Sequence, residues 1–329
     1  MLVIKASVDR DRRPGRFLLT GSTRLLSTPR LADTLAGRME IIGLWPLSMG
    51  EVAGRLESFV SSSLAGTPWQ RPTTDWGRHD YVGAVCAGGF PEASTRIGRR
   101  RDAWFDAYAT TVLERLSTDV AEIERRGSMP ALLRLCATRT ATELNVSRLA
   151  NDIAIPPRTL SSYLAHLSTV FLIELVPAWS TNLSSKVVHR PKLVVVDSGL
   201  AANLVGVDET SLGRPDALFG QLLETFVIGE LRKQLGWSSP RATMSHFRDR
   251  DGAEVDVVLE ARDGRVAGIE VKAARSVTQS DFRGLRFLQR RLGDRFASGV
   301  VLYTGNDVIP FGDGLTALPI SALWDDGQH

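Results

Sequence analysis

The sequence predicts a multi-domain α/β protein, and three observations support this fold class. The chain has 329 residues, enough for two or three domains of ordinary size. Hydrophobic residues make up 43% and charged residues 23%, a composition typical of folded globular proteins. Residues 129–205 have the pattern of helices followed by a β-hairpin, whereas residues 206–329 alternate helices and strands. Two different architectures are therefore predicted within one chain.

Charge and cysteine content exclude several classes of protein. Lys and Arg number 40 and Asp and Glu 37, so the net charge of +3 leaves nucleic acid open as a partner without requiring it. Two cysteines cannot form a disulfide framework, and the N-terminus becomes charged at Lys5, too early for a secretory signal. No apolar run reaches the roughly 18 residues of a membrane span. We therefore expect a cytoplasmic protein with no membrane segment.

Residues 1–48 have the pattern of the end of a domain rather than a whole one. Residues 2–8 have helical spacing, and short strands are predicted at 16–20 and 39–44 with a helix at 29–36 between them. The sequence supplies no obvious partner for either strand. We expect their exposed edges to be covered by a second copy of the chain or by another protein.

Residues 49–128 are predicted to be a helical connecting region. Helical spacing at 51–60 gives way to serine, glycine and proline turns, and a short helix follows at 81–90. A long amphipathic helix is predicted at 102–123, because its apolar residues recur four apart.

Residues 129–205 contain the clearest module. The predicted elements are, in order, helices at 130–137, at 147–153 and from Pro157 onward, and strands at 171–179 and 192–197. Ser147 is placed to cap the second helix. This order is typical of a winged helix-turn-helix, which would contact DNA through Arg158, Ser161, Ser162 and the hairpin. The alternative is a fold of this kind that serves only packing or protein contacts.

Residues 206–329 are predicted to form an α/β domain. The expected elements are helices at 219–235 and 281–292 and strands at 243–248, 253–260, 265–273 and 299–304. The second helix carries Arg283, Arg286 and Arg290, which are candidates for contact with phosphate.

The most informative residues lie on two of these strands. Asp256 stands in one strand, and Glu270 and Lys272 stand two apart in the next. Strand alternation places three apolar residues on the face opposite Asp256: Val255, Val257 and Leu259. Asp256 and Glu270 could hold a Mg²⁺ that polarises a phosphate, with Lys272 beside the attacking water. This residue set predicts metal-dependent phosphodiester hydrolysis.

The spacing resembles the D…E-x-K signature of the PD-(D/E)XK nuclease fold. Many nucleases of this fold carry a glutamate on the preceding helix, so the resemblance implies the same role for Glu224. Glu230, which falls inside the apolar stripe of that helix, is the competing choice.

The geometry depends on the turn between the two strands. A two-residue loop at Asp263 and Gly264 would put Asp256 and Glu270 on opposite faces. A three-residue loop over 262–264, with Gly264 left-handed, pairs Val257 with Ile269 and brings the two acids to one face. Buried valines favour the second register, which we predict.

The whole chain resembles a large prokaryotic family in which an AAA-type ATPase domain precedes a C-terminal domain of unknown function. The segments that carry the resemblance include Phe17-Leu-Leu-Thr-Gly-Ser22, Leu44-Trp-Pro-Leu-Ser48, Asp197-Ser-Gly-Leu200, Leu223-Glu-Thr-Phe-Val227 and Glu270-Val-Lys272. It implies a partial AAA-type α/β remnant, a winged helix and a nuclease-like end. In that family Thr20 and Ser22 would be the nucleotide sensor, and Arg38 would face the nucleotide.

The sequence departs from this family because it has no Gly-Lys dipeptide and hence no G-x-x-x-x-G-K-[ST] loop. We expect an N-terminally truncated member, through a misplaced start codon or a gene fragment, that binds little ATP and does not hydrolyse it alone. Two functions remain open: a Mg²⁺-dependent nuclease guided to DNA by a winged helix, and a non-catalytic protein that binds DNA or protein.

Overall fold

The described residues of the N-terminal segment are irregular outside one helix. The structure is a computed structural model that describes residues 2–21, 37–119, 127–180, 190–214, 217–249 and 252–325. Helix α1, Leu2–Arg10, confirms the helix predicted at this end of the chain. The strands predicted at 16–20 and 39–44 are wrong, because both segments are irregular. Within the described residues neither segment has a strand to pair with, and Leu18 and Leu44 are 89% and 93% exposed. The helix predicted at 29–36 lies outside the described residues.

Five helices follow in residues 49–119. They are α2 (Met49–Ala53), α3 (Phe59–Ala65), α4 (Arg78–Ala87), α5 (Pro91–Ser94) and α6 (Arg99–Asp119). The single helix expected at 51–60 is wrong, because Gly54 has a φ of 66° and ends α2. A left-handed glycine at this position is a common helix stop.

In the described residues 127–180 and 190–195, three helices and a three-stranded sheet form the central module. Its elements are α7 (Ser128–Ala137), β1 (Thr142–Glu143), α8 (Val146–Ile153), α9 (Pro157–Thr169), β2 (Ile173–Val176) and β3 (Lys192–Val195). The sheet order is β1-β3-β2, and both pairs are antiparallel. Asn145, not Ser147, caps α8, since its side chain accepts a hydrogen bond from Arg148 N at 3.1 Å. The predicted strand at 171–179 is shorter because Phe171 has a positive φ of 57°, which does not fit a strand.

The C-terminal part is a mixed six-stranded sheet with helices. It comprises α10 (Ser198–Val205), α11 (Glu209–Leu212), α12 (Ala217–Gln234), β4 (Ala242–Arg248), β5 (Glu254–Ala261), β6 (Val266–Lys272), α13 (Arg283–Leu292), β7 (Phe296–Tyr303), β8 (Ile309–Gly312) and β9 (Leu315–Pro319). The order is β4-β5-β6-β7-β9-β8, with β7 parallel to both of its neighbours. Sequence patterns did not predict α10, α11, β8 or β9.

Helices cover both faces of this sheet. Leu223 of α12 belongs to a buried cluster with Val257 and Ile269, whereas Leu285 of α13 belongs to a second cluster with Val258. The strands therefore end between two packed layers, which positions side chains at the strand ends for a site. No helix in the described part of the chain is long and apolar enough to cross a membrane.

Candidate active site

The β5–β6 hairpin turns through residues 262–264. Ala261 N donates to Arg265 O at 2.9 Å, and Gly264 has a φ of 88°, a region that glycine enters without steric cost. Val257 pairs with Ile269. The structure therefore confirms the register predicted for a three-residue loop.

A β-bulge lies at Asp256, near the start of β5. The β4–β5 ladder shifts by one residue, so that His246 stands opposite both Asp256 and Val257. The predicted alternation is therefore wrong at Val255, which packs in the α13 cluster, whereas Val257 and Leu259 pack in the α12 cluster. An extra residue reverses the alternation at the bulge, and bulges often redirect a side chain beside a site.

Asp256, Glu270 and Lys272 meet where β5 begins and β6 ends. Asp256 Oδ2 accepts a hydrogen bond from Val271 N at 2.9 Å. The carboxyl groups of Asp256 and Glu270 lie close enough to share a hydrogen bond. Lys272 Nζ lies 3.5 Å from Glu270 Oε2. The three residues thus form one continuous group of charged side chains.

Burial changes the proton affinity of this group. Glu270 is only 6% exposed, and its burial, followed by the charge of Asp256, raises the pKa of Glu270 to about 9. Burial opposes the charge of Lys272, but Glu270 and Asp256 outweigh it and raise the pKa of Lys272. Burial therefore disfavours the carboxylate form of Glu270, and a bound cation would favour that form.

Lys192 is a member of the site that the sequence reasoning missed. It comes from β3 of the other sheet, is 1% exposed, and its ammonium contacts Glu224 Oε1 directly. Lys192 Nζ also lies 3.5 Å from Asp256 Oδ1 and 3.4 Å from Asp256 O. The sequence did contain a signal for this contact. Lys192 begins a strand that is predicted to be apolar, and a lysine buried with such a strand requires carboxylate partners.

Lys192 lowers the pKa of Glu224, and Glu224 raises the pKa of Lys192. Burial and then the charge of Asp256 raise the pKa of Glu224, while Lys192 lowers it. Burial also opposes the charge of Lys192, yet Glu224 and Asp256 raise the pKa of Lys192 above its usual value. Because the ammonium remains charged in this pocket, an ion pair with the Glu224 carboxylate is the state that we assign.

Glu230, the alternative to Glu224, lies elsewhere. It is 1% exposed, with Oε1 2.6 Å from Lys233 Nζ and Oε2 accepting from Met49 N at 2.8 Å. Lys233 Nζ also donates to Leu47 O at 2.9 Å. Glu230 therefore anchors the segment before α2 to α12 instead of joining the acidic group.

Only two side chains of the site, those of Asp256 and Glu270, are placed to bind a magnesium ion together. Among the described residues, no group of three His, Cys, Asp or Glu side chains could hold a metal ion. Asp256 and Glu270 nevertheless offer adjacent carboxylate oxygens, and Mg²⁺ is commonly held by one or two carboxylates and several waters. Glu224 is not available in the same way because its carboxylate contacts Lys192.

The candidate DNA-contacting residues of α9 lie near its start. Arg158 is exposed in the first turn of the helix. Ser161 Oγ donates to Pro157 O at 3.0 Å, and Ser162 Oγ lies 3.3 Å from His166 Nε2. Of the three, only Arg158 presents a charge to solvent.

The arginines of α13 differ from one another. Arg283 donates to Gly252 O at 3.2 Å, and Arg286 donates to Phe311 O at 2.9 Å. Arg290 is exposed on the same helix. Two of the three predicted phosphate contacts thus hold neighbouring backbone in this structure.

The predicted nucleotide sensor is only partly described. Thr20 is exposed, and Arg38 Nε donates to Asp9 Oδ1 at 2.6 Å. Ser22 lies outside the described residues.

Three families match separate parts of the chain. Residues 1–53 match an AAA domain, residues 78–211 match a domain of unknown function (DUF8612), and residues 219–323 match a domain of unknown function (DUF4143). The DUF4143 match contains Glu224, Asp256, Glu270 and Lys272, whereas Lys192 falls in the DUF8612 match. The matches support an AAA-type family with a C-terminal domain of unknown function.

Two mycobacterial proteins are similar to this chain over nearly its whole length. Uncharacterized proteins of Mycobacterium bovis and Mycobacterium tuberculosis are each 27% identical to it over 330 residues. The alignments cover 99% of this chain and 67% of each relative. No solved structure matches the chain.

Proposed function

We propose that this chain cleaves phosphodiester bonds at the site where β5 begins and β6 ends, with residues 206–329 forming a nuclease-like domain of the PD-(D/E)XK type. One observation carries the proposal: the carboxyl groups of Asp256 and Glu270 lie close together, and Lys272 Nζ lies 3.5 Å from Glu270 Oε2. Two carboxylates and a lysine at one strand end are the groups that this chemistry requires. Their position between two packed helices gives the rigid support that a catalytic group needs.

Each residue has a separate role in the proposed reaction. Asp256 and Glu270 would hold Mg²⁺, and their oxygens would orient it because Val271 N fixes one carboxylate. When bound, Mg²⁺ supplies Lewis acidity to the phosphate and lowers the pKa of a water. Lys272 stabilises the negative charge that develops on the phosphate oxygens.

The central module is proposed to bring DNA to this site. Residues 129–205 would act as a winged helix-turn-helix, with α9 as the helix that approaches DNA. Support comes from Arg158, which is exposed in the first turn of α9. The N-terminal residues of such a helix are the ones that reach the groove.

The N-terminal segment is proposed to be the sensor part of an AAA-type domain, where Thr20, Ser22 and Arg38 would face a nucleotide. The support is the AAA-domain match to residues 1–53. ATP turnover is not part of this proposal, since the sequence contains no P-loop lysine motif.

A non-catalytic DNA- or protein-binding role is the second candidate. It is favoured by the Lys192–Glu224 pair, which balances one carboxylate of the group without a metal. A charge-balanced site of this kind needs no cation to be stable.

Incubation of the chain with plasmid and with single- and double-stranded oligonucleotides in Mg²⁺ or Mn²⁺ tests the two roles. We expect Asp256→Asn, Glu270→Gln and Lys272→Met each to lower cleavage at least about a hundredfold while DNA binding is retained. Asp263→Asn, in the exposed hairpin loop, is the matched control and should cleave like the wild type. DNA binding with no cleavage of any substrate by the wild type would favour the non-catalytic role.

A further inference from the structure

Lys192 connects the two sheets of the protein at the candidate site. It is the first residue of β3, in the three-stranded sheet, yet its Nζ contacts Glu224 of α12 and lies 3.5 Å from Asp256 of β5. No other lysine or arginine among the described residues forms ion pairs with two of the carboxylates of Glu224, Asp256 and Glu270.

Hydrogen bonds join His246 of β4 to the segment that follows β2 and to the residues that precede β3. His246 N donates to Pro177 O at 3.0 Å, and Trp179 N donates to His246 O at 2.6 Å. His246 Nε2 lies 3.0 Å from Arg190 O, two residues before Lys192. His246 is also the residue opposite the bulge at Asp256, so these contacts fix β3 relative to the site.

Because Lys192 is buried, its ammonium must lie beside carboxylates. The side chain is 2% exposed, and a lysine in such a position requires charged partners. Its ammonium meets the Glu224 carboxylate on one side and Asp256 Oδ1 on the other. Glu224 is thereby engaged by a cation that belongs to the protein itself.

We infer that Lys192 is a positioning residue of the proposed phosphodiesterase site: it occupies Glu224 with its ammonium, so that the site takes one divalent cation, between Asp256 and Glu270, and not two. The inference rests on the proposed function. It predicts a specific role for Glu224, which supports Lys192 and is not itself a metal ligand. Three free carboxylates would otherwise offer oxygen ligands for a second cation.

Titration of the full chain with Mn²⁺, without nucleic acid, tests the inference by calorimetry. The wild type should bind one equivalent. Lys192→Met frees Glu224 and should bind a second equivalent, or bind the first at least about tenfold more tightly. Glu224→Gln leaves the ammonium facing Asp256 and should weaken binding about tenfold.

The double variant Lys192→Met/Glu224→Gln decides between positioning and direct ligation. If Lys192 positions the site, the double variant regains the affinity and single equivalent of the wild type, because a matched pair of charges has been removed. If Glu224 is a ligand, the double variant binds as weakly as Glu224→Gln, and the inference is overturned. This comparison holds even where Lys192→Met alone does not fold, which circular dichroism reports.

Failure of the inference can be distinguished from failure of the proposed function. Mn²⁺ binding that Asp256→Asn abolishes, but that Lys192→Met leaves unchanged in a folded protein, overturns the role of Lys192 alone. A wild type that binds no Mn²⁺ overturns the metal-dependent function and this inference with it.

Discussion

Val271 N donates a hydrogen bond to Asp256 Oδ2 across 2.9 Å, just beyond the last ladder pair of β5 and β6, Val257 and Ile269. The bond engages one carboxylate oxygen, and Oδ1 lies 3.5 Å from Lys192 Nζ. Asp256 is thus held by the backbone of one strand and a side chain of the other sheet. Changes that displace the start of β5 should therefore affect both stability and the site.

Gly284 provides one such change. A Cβ at this helical glycine would lie 1.8 Å from Glu254 O, at the start of β5. We expect Gly284→Ala to lower the free energy of unfolding by about 2–3 kcal/mol, because helix and strand must separate. Gly220→Ala in α12 is the control: nothing lies within 4 Å of its Cβ, so it should gain about 0.5–1 kcal/mol. Urea unfolding measures both changes, and equal signs for the two variants would contradict the close approach.

Glu57 should make stability depend on pH. Burial is the main cause that raises the pKa of Glu57 from 4.5 to about 7, and the charge of Glu230 adds to it. Between these values the folded state binds more protons than the unfolded state, so this contribution to stability is complete below 4.5 and lost as pH rises through 7. Thermal melts at pH 5 and pH 8 should therefore differ less for Glu57→Gln than for the wild type. Glu92→Gln, on an exposed side chain, should keep the wild-type difference.

The Glu230–Lys233 pair should contribute strongly to stability. Both side chains are buried, 2.6 Å apart, and they also bind Met49 N and Leu47 O. We expect Glu230→Gln or Lys233→Met to cost about 3–5 kcal/mol, because each leaves a buried charge unbalanced. The double variant should cost less than the sum of the two, as a double-mutant cycle in urea will measure. Additive losses would show that the two charges do not depend on each other.

Arg158 and Arg290 should set the salt dependence of any DNA binding. Both are exposed, so each can release a counterion from a phosphate. Removal of either by alanine should reduce the slope of log affinity against log salt concentration by about 0.9. Arg283→Ala should change the slope less, because Arg283 already donates to Gly252 O. Fluorescence anisotropy over a range of NaCl concentrations measures the slopes, and identical slopes for all variants would argue against a duplex at these surfaces.

Local sequence patterns predicted the features that depend on neighbouring residues. The helix opened by Pro157 and the turn through Gly264 follow from the backbone preferences of those residues. The pairing of Val257 with Ile269 follows because one register buries apolar side chains and the other does not. The same register placed Asp256 and Glu270 together. This much of the site could therefore be read from the sequence.

Apolar spacing alone was not sufficient where a partner was required. The segments at 16–20 and 39–44 have the composition of strands, but the described residues offer them no neighbouring strand. Strand formation depends on hydrogen bonds to a second segment, which composition does not report. The bulge at Asp256 was missed for a related reason, since it depends on how β4 pairs with β5.

The sequence by itself indicated which charged residues of the hairpin come together: Asp256, Glu270 and Lys272, through their spacing on adjacent strands. Only the tertiary structure decided that Lys192 joins them, 64 residues before Asp256 and 32 before Glu224. No periodicity links residues so far apart in the chain. The physical reason is that a buried ammonium must meet carboxylates, and which carboxylates it meets is fixed by the packing of one sheet against the other.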